Sequence, residues 1–177
     1  MTTIILVVLV LLVAFLAFVA TRPDTFTVKR SQLIRAKPAD IYPLIANFQP
    51  EGWGKWSPWE DLDPDLRRAY SGPPSGVGAI YEWEGNKRVG AGRMEIHHAE
   101  APSSVDIKLD FLRPFKATND TLFNLIDEGE ETLVTWKMTG PVPFPAKIMH
   151  LFMDMDTLVG NDFEKGLGRL KALAEKK

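Results

Sequence analysis

The chain predicts an α+β fold, a curved antiparallel sheet of seven strands gripping one long C-terminal helix, after a separate apolar N-terminal helix. Three observations predict it. Ile4 to Ala20 is unbroken apolar sequence. Between Phe26 and Gly140, β-rich runs alternate with Gly, Pro, Asn and Asp punctuation. After Pro145, apolar residues recur at Ile148, Leu151, Phe152, Met155, Leu158, Val159, Phe163, Leu167, Leu170 and Leu173, the spacing of one helix face.

The N-terminal run sits at the short end of the lengths that span a bilayer as a helix. A cleaved secretory signal is the rival reading, and it wants a basic n-region and small residues before the cleavage point. Met1-Thr2-Thr3 carries no basic side chain, and cleavage after Ala20 would put Phe18 at −3. An uncleaved anchor over residues 1–22 is therefore expected, with a soluble domain over 23–177. Arg22, Lys29, Arg30, Arg35 and Lys37 follow the span. By the positive-inside rule they place that domain in the cytoplasm of a single-pass membrane protein.

Pro23-Asp24 breaks the helix pattern. Phe26 to Arg35 alternates and is rich in β formers, a first strand. Pro38-Ala39-Asp40 opens a short helix to about Asn47, with proline in the first turn and an acid near the N-terminus. Trp53 to Trp59 is aromatic and proline-broken, an ordered loop or short helical turns. Six strands follow, over 66–71, 78–84, 89–99, 105–112, 115–126 and 132–140. In the fourth of them Val105, Ile107, Leu109 and Phe111 alternate with Asp106, Lys108 and Asp110, a half-buried strand. Short turns make these strands antiparallel neighbours. No proline falls after Pro145, so one helix of about 26 residues, roughly 39 Å long, is expected to the end of the chain. An amphipathic helix and a one-sided sheet each need cover, and each supplies the other's.

Composition excludes several functions. The net charge of −2 over 177 residues argues against nucleic acid, which asks for a basic face. There is no cysteine and there are only three histidines, so no thiolate or His-rich metal site and no cofactor is expected. The glycines from Gly72 to Gly78 lack the following Gly-Lys-Ser/Thr of a phosphate loop, and Gly90-Ala-Gly92 reads as a bulge or a close approach inside a strand. His97 and His98 are adjacent, so strict alternation turns one toward each side of the sheet. With Arg93 and Glu95 on the His97 face an acid–base site is conceivable, but a solvated outer face is favoured because those positions are polar. Glu82 is equally ambiguous. Asn119-Asp-Thr121 is a glycosylation sequon inside a strand.

Several stretches together carry a resemblance: Trp56-Ser-Pro-Trp59, Asp63-Pro64, Tyr70-Ser-Gly72, Gly76-Val-Gly78, Trp83-Glu-Gly-Asn86, Gly90-Ala-Gly92-Arg-Met94, Leu151-Phe-Met-Asp-Met-Asp156 and Asp162-Phe-Glu-Lys-Gly-Leu167. From about Phe26 to Glu175 the chain resembles membrane-anchored members of the SRPBCC superfamily, polyketide cyclase/dehydrase-like domains related to START-type lipid-transfer domains. The resemblance implies a deep apolar cavity between sheet and long helix. It implies no reaction, because members bind lipids, hormones or polyketides and only some are catalysts.

The expected ligand is a small hydrophobic or lipid-like molecule. Its site is expected to draw on Trp56, Trp59, Tyr81, Trp83, Leu109, Phe111, Asn119, Val134 and Trp136 from loop and sheet, and on Phe152 and Met155 from the helix. For the loop tryptophans, Trp53 among them, packing against the core is the competing role. For Met149, Met153 and Met155 ordinary core packing competes with a lipid-facing role. Two alternatives to a binding module stand beside it. One is a polyketide cyclase or dehydratase, which needs an ionisable group aimed into the cavity, with Arg93, Glu82, His97 and His98 as suppliers. The other is a protein-interaction module similar to helix-grip activators of a chaperone ATPase, for which no exposed apolar motif is evident.

Overall fold

The computed structural model of the chain describes residues 1–176. One sheet of seven antiparallel strands runs in the order β1-β7-β6-β5-β4-β3-β2. The strands are β1 Thr25–Ile34, β2 Arg67–Ser71, β3 Ile80–Glu84, β4 Ala91–Glu100, β5 Ser104–Arg113, β6 Ala117–Asp127 and β7 Thr132–Pro141. The helices are α1 Thr2–Ala20, α2 Pro38–Ala46, α3 Phe144–His150 and α4 Met155–Ala174, with a single 3-10 turn at Trp53–Lys55. This is the expected α+β helix-grip architecture.

Local chemistry explains the elements. Pro38 stands in the first turn of α2 with Asp40 beside it, and Ile41, Ile45 and Ala46 go into the core. Along β7 the burial alternates, so Val134, Trp136 and Met138 face inward. In α4 the buried residues Gly160, Phe163, Gly166, Leu167, Leu170 and Ala174 form one stripe that lies mainly over β1. The Gly90-Ala-Gly92 segment is a bulge: the β4–β5 register shifts between Ala91 and Gly92. Gly92 lies flat under the Trp83 ring, leaving no room for a Cβ.

The long helix departs from expectation. It is two helices, broken over Leu151 to Asp154. The break has a local cause. The Asp154 side chain accepts from the backbone N–H groups of Asp156 (3.1 Å) and Thr157 (3.2 Å), which makes it the N-cap of α4. A residue that caps a new helix cannot sit inside an old one. The first turn of α4 is then clamped to the sheet. The Arg30 guanidinium on β1 reaches Asp156 (3.0 Å) and Glu164 (2.7 Å) and lies across Gly160, where any side chain would collide with it.

The short helix α3 turns away from the cavity and meets α1. Lys147, only 6% exposed, binds Asp24 at 2.6 Å and reaches the Ala20 carbonyl at 3.4 Å. Along α1 only Val19 is buried. The apolar helix is therefore not a core helix of the domain, and it is long and apolar enough to cross a membrane.

The bulge supplies a test of the packing. Gly92→Ala drives a methyl into the Trp83 ring and the Asp110 carbonyl. It should cost roughly 1–3 kcal/mol of stability, read as a lower denaturation midpoint with unchanged slope. Wild-type stability in that variant would mean that the ring does not rest there.

Candidate functional site

Between the concave face of the sheet and the first half of α4 lies a cavity of about 300 Å³. Its floor is built from inward-facing strand residues: Tyr81 and Trp83 from β3, Met94 from β4, Leu109 and Phe111 from β5, Thr121 from β6, and Trp136 and Met138 from β7. The cover comes from two sources. Trp53, Ser57, Trp59 and Glu60 come from the loop after α2, and Leu158, Val159, Asp162 and Phe163 come from α4. Arg88, Val89, Gly90, Arg113 and Pro114 rim the end where the β3–β4 and β5–β6 turns meet.

An aromatic partition closes the cavity on its inner side. Trp136 stacks flat on Phe163, with centroids 4.0 Å apart and planes 7° apart. Trp53, Trp56 and Trp59 each meet Trp136 edge-on at 5.5 to 5.8 Å. Trp56 is fixed in the core by donating to the Leu44 carbonyl at 2.9 Å. On the opposite wall Tyr70, Tyr81 and Trp83 stack in a ladder.

Of the eleven expected site residues, six meet at this cavity: Trp59, Tyr81, Trp83, Leu109, Phe111 and Trp136. The other five do not line it. Trp56 and Val134 face inward as expected but are packed into the filled part of the core. Asn119 is buried behind Met138, to whose sulfur it donates at 3.6 Å. Phe152 and Met155 are displaced by the helix break, and Phe152 is 80% exposed.

The four expected ionisable suppliers all lie on the outer face. Arg93 pairs with Glu95 at 2.6 Å, and Glu82 is exposed. His97 and His98 are both exposed, because a register shift between Ile96 and His98 breaks the alternation that would have turned one inward. The residues that do bring charge to the walls are Glu60, Arg88, Arg113 and Asp162. Glu60 was invisible to periodicity because it sits in an irregular loop. Its only signal was its place directly after the Trp-Ser-Pro-Trp stretch.

Glu60 is held from both sides. Arg68 donates to one carboxylate oxygen at 2.6 Å, and the Tyr81 hydroxyl donates to the other at 2.7 Å. Burial pushes the Tyr81 phenol far above its ordinary range, and the bond to Glu60 adds to the shift. Its proton is committed to the carboxylate. Three buried polar atoms, Trp136 Nε1, Thr121 Oγ1 and Asn119 Oδ1, have no hydrogen-bond partner among the described residues. Among the described residues no group of His, Asp and Glu is arranged to hold a metal ion.

A seven-stranded sheet closed over one helix, with an apolar cavity between them, defines a helix-grip domain. Residues 25–175 match the family described as polyketide cyclase / dehydrase and lipid transport. The chain belongs to that family, within the SRPBCC superfamily. No curated protein matches it. Among solved structures it is similar to protein MLL2253 from Mesorhizobium loti, at 14% identity over 86% of this chain and 98% of that one, with a TM-score of 0.62. It is similar to the Aha1 dimer from Colwellia psychrerythraea, at 17% identity over 85% and 97%, with a TM-score of 0.61. The third is the di-domain ARO/CYC BexL from the BE-7585A biosynthetic pathway, at 13% identity and a TM-score of 0.61, covering 91% of this chain and 54% of that one. At such identities the likeness is one of fold.

The three tyrosines of the chain give a pH signature. Burial raises the pKa of Tyr42, Tyr70 and Tyr81 alike. An unfolded tyrosine ionises near its ordinary value of about 10. Above that pH the unfolded chain releases protons that the folded chain retains. Stability from these groups is therefore complete below about 10 and lost as pH rises beyond it. Spectrophotometric titration should find tyrosinate appearing together with alkaline unfolding. A tyrosine titrating normally in the folded protein at Tyr81 would contradict the buried bond to Glu60.

Proposed function

We propose that this protein is a membrane-tethered binding module for a small hydrophobic or lipid-like molecule held in the cavity between sheet and α4. The observation that carries the reading is the cavity wall. It is mostly aromatic and aliphatic, with a few polar groups placed to orient a guest, as ligand pockets are. The volume is at the small end for such pockets, which suits a single acyl chain or a compact ring system. The charged side chains Glu60, Arg88, Arg113 and Asp162 at the wall are the groups available to orient the polar end of a guest.

The cyclase or dehydratase alternative draws on the Tyr81–Glu60–Arg68 chain at the wall. It has less support, because a general acid must give up its proton near neutral pH, and the Tyr81 phenol is shifted away from that range. The tether reading draws on α1. Its length of about 28 Å at 1.5 Å per residue fits the hydrocarbon core of a bilayer. At its end the Arg22 guanidinium lies 4.3 Å from the Phe18 ring centroid, an arrangement suited to a cation at the membrane–water boundary.

Two experiments test these readings. Single-chain fatty acids, sterols and aromatic polyketide mimics should be screened for a concentration-dependent rise in melting temperature. Leu109→Trp, which fills the floor, should abolish any such rise at a cost of roughly 1–3 kcal/mol in stability. No rise with any probe would remove the binding reading. Separately, the basic residues after the span favour a cytoplasmic side for residues 23–177 by the positive-inside rule. Protease added outside intact cells should then leave the domain whole, and its digestion would reverse the orientation.

A further inference from the structure

The cavity rim and the tether leave the domain at the same end. β1 begins at Thr25, paired with Pro141 at the end of β7. Across the sheet the same edge continues through Ala117 opposite Phe111, Ala91 opposite Arg113, and Glu84 opposite Ala91. The two turns at that edge carry Arg88, Val89, Arg113 and Pro114, which rim the cavity. Only five residue steps separate Ala20 from Thr25, so the β1 corner of this edge lies within about 18 Å of the end of α1, and the β5–β6 turn lies three strand spacings, about 14 Å, further along it. From Pro141 the chain runs through α3, which touches Ala20, and through the break into the first turn of α4, where Leu158 covers the cavity.

Exposed apolar side chains follow the same geography. Among the described residues after Ala20 there are ten large ones, and seven belong to this end: Leu112 at the end of β5 and Phe115 of the β5–β6 turn, then Phe144, Met149, Phe152, Met153 and Leu158. Leu33 and Ile126 sit at the opposite ends of their strands, and Val77 precedes β3. The absence of an exposed apolar motif expected from sequence is overturned here, because the break releases Phe152 and Met153 from the helix stripe. A patch of this kind marks an interaction surface.

From these positions we infer that the edge formed by the β5–β6 turn and the α3–α4 segment seats on the lipid bilayer that holds α1, so that the cavity opens against the membrane surface. The inference rests on the reading of α1 as a membrane anchor. The occupant follows from continuity. Lys147 of α3 is bonded to Asp24 and to the last carbonyl of α1, which puts α3 at the depth where the span ends. Apolar side chains there enter the headgroup and acyl boundary, about 5–10 Å deep, as those of interfacial segments do. Lys87, Arg88 and Lys116 at the neighbouring turns can reach the headgroups by their long stems. A guest would then pass between bilayer and cavity without crossing water.

The test uses the full chain, which has no cysteine of its own. Single variants Phe152→Cys, Phe115→Cys, Leu11→Cys and Glu130→Cys each receive a small fluorophore. Each is placed in nanodiscs of phosphatidylcholine and phosphatidylglycerol containing spin-labelled phospholipid. Leu11 reports the anchor, and Glu130, in the β6–β7 turn at the far end, reports the aqueous baseline. The inference expects quenching by acyl-chain spin label at Leu11, quenching by headgroup spin label at Phe152 and Phe115, and none at Glu130. Quenching at Leu11 with Phe152 and Phe115 at the Glu130 level would overturn the inference and leave the anchor standing. No quenching at Leu11 would overturn both. Excimer emission from pyrene at Phe152, without lipid quenching, would assign the patch to a second copy of the chain and overturn the bilayer.

Discussion

Everything inside this domain turns on the stack of Trp136 against Phe163. Among the described residues it is the one face-to-face aromatic contact between sheet and long helix. It sets the standoff between β7 and α4 at the middle of the helix, and Trp53, Trp56 and Trp59 brace it from the side. The interior is thereby divided. Toward the C-terminal half of α4, Leu167, Leu170 and Ala174 close the gap with Ile34, Ile41 and Ile45 in a filled core. Toward the N-terminal half, α4 presents Leu158, Val159 and Asp162, and the gap stays open as a cavity. An aromatic pair suits this division. It buries a large area at low conformational cost and holds a fixed spacing that aliphatic side chains do not.

Most of the fold was legible because the sheet obeys local rules. β7 alternates strictly and β5 does so from Ser104 to Lys108, and the turns at Gly85-Asn86 and Asp127-Glu128-Gly129 carry the residues their geometry needs. The same alternation put Tyr81, Trp83, Leu109, Phe111 and Trp136 on the inner face, and all of them reach the cavity. Where alternation failed, a bulge was responsible: at Ile96 to His98 one irregular step turned both histidines outward. Glu60 escaped because an irregular loop has no period from which to read a facing. Val134 and Trp56 met a different limit. Facing inward is a property of a strand or loop, whereas lining a cavity depends on which inward residues the opposing helix fails to touch.

The broken helix shows periodicity overridden by a cap. Ile148, Leu151, Phe152 and Met155 have helical spacing, and the apolar stripe runs through them without a gap. One carboxylate decides otherwise. Asp154 binds the backbone N–H groups of Asp156 and Thr157, and a hydrogen bond from the Thr157 hydroxyl helps hold its pKa below the ordinary carboxylate range. The charged cap, the Asp156 carboxylate in the first turn and the Arg30 clamp all favour a helix that starts at Met155. Sequence contained the signal, Asp-Met-Asp-Thr, but the continuous apolar stripe masked it.

The break also reconciles two demands that a continuous helix could not meet together. A single helix from Pro145 would have committed Phe152 and Met155 to the sheet, as their spacing implies, and filled the volume now bounded by Leu158, Val159 and Asp162. It would have carried Lys147 away from Asp24 and the end of α1. By ending α3 at His150 and restarting at Met155, the chain keeps one short segment on α1 and one long helix on the sheet. The apolar side chains between them are left without a partner inside the domain. A lone exposed Phe is ordinary. Phe152, beside Met149 and Met153 and following a short helix that packs on α1, is part of an exposed apolar grouping of the kind that marks an interaction surface.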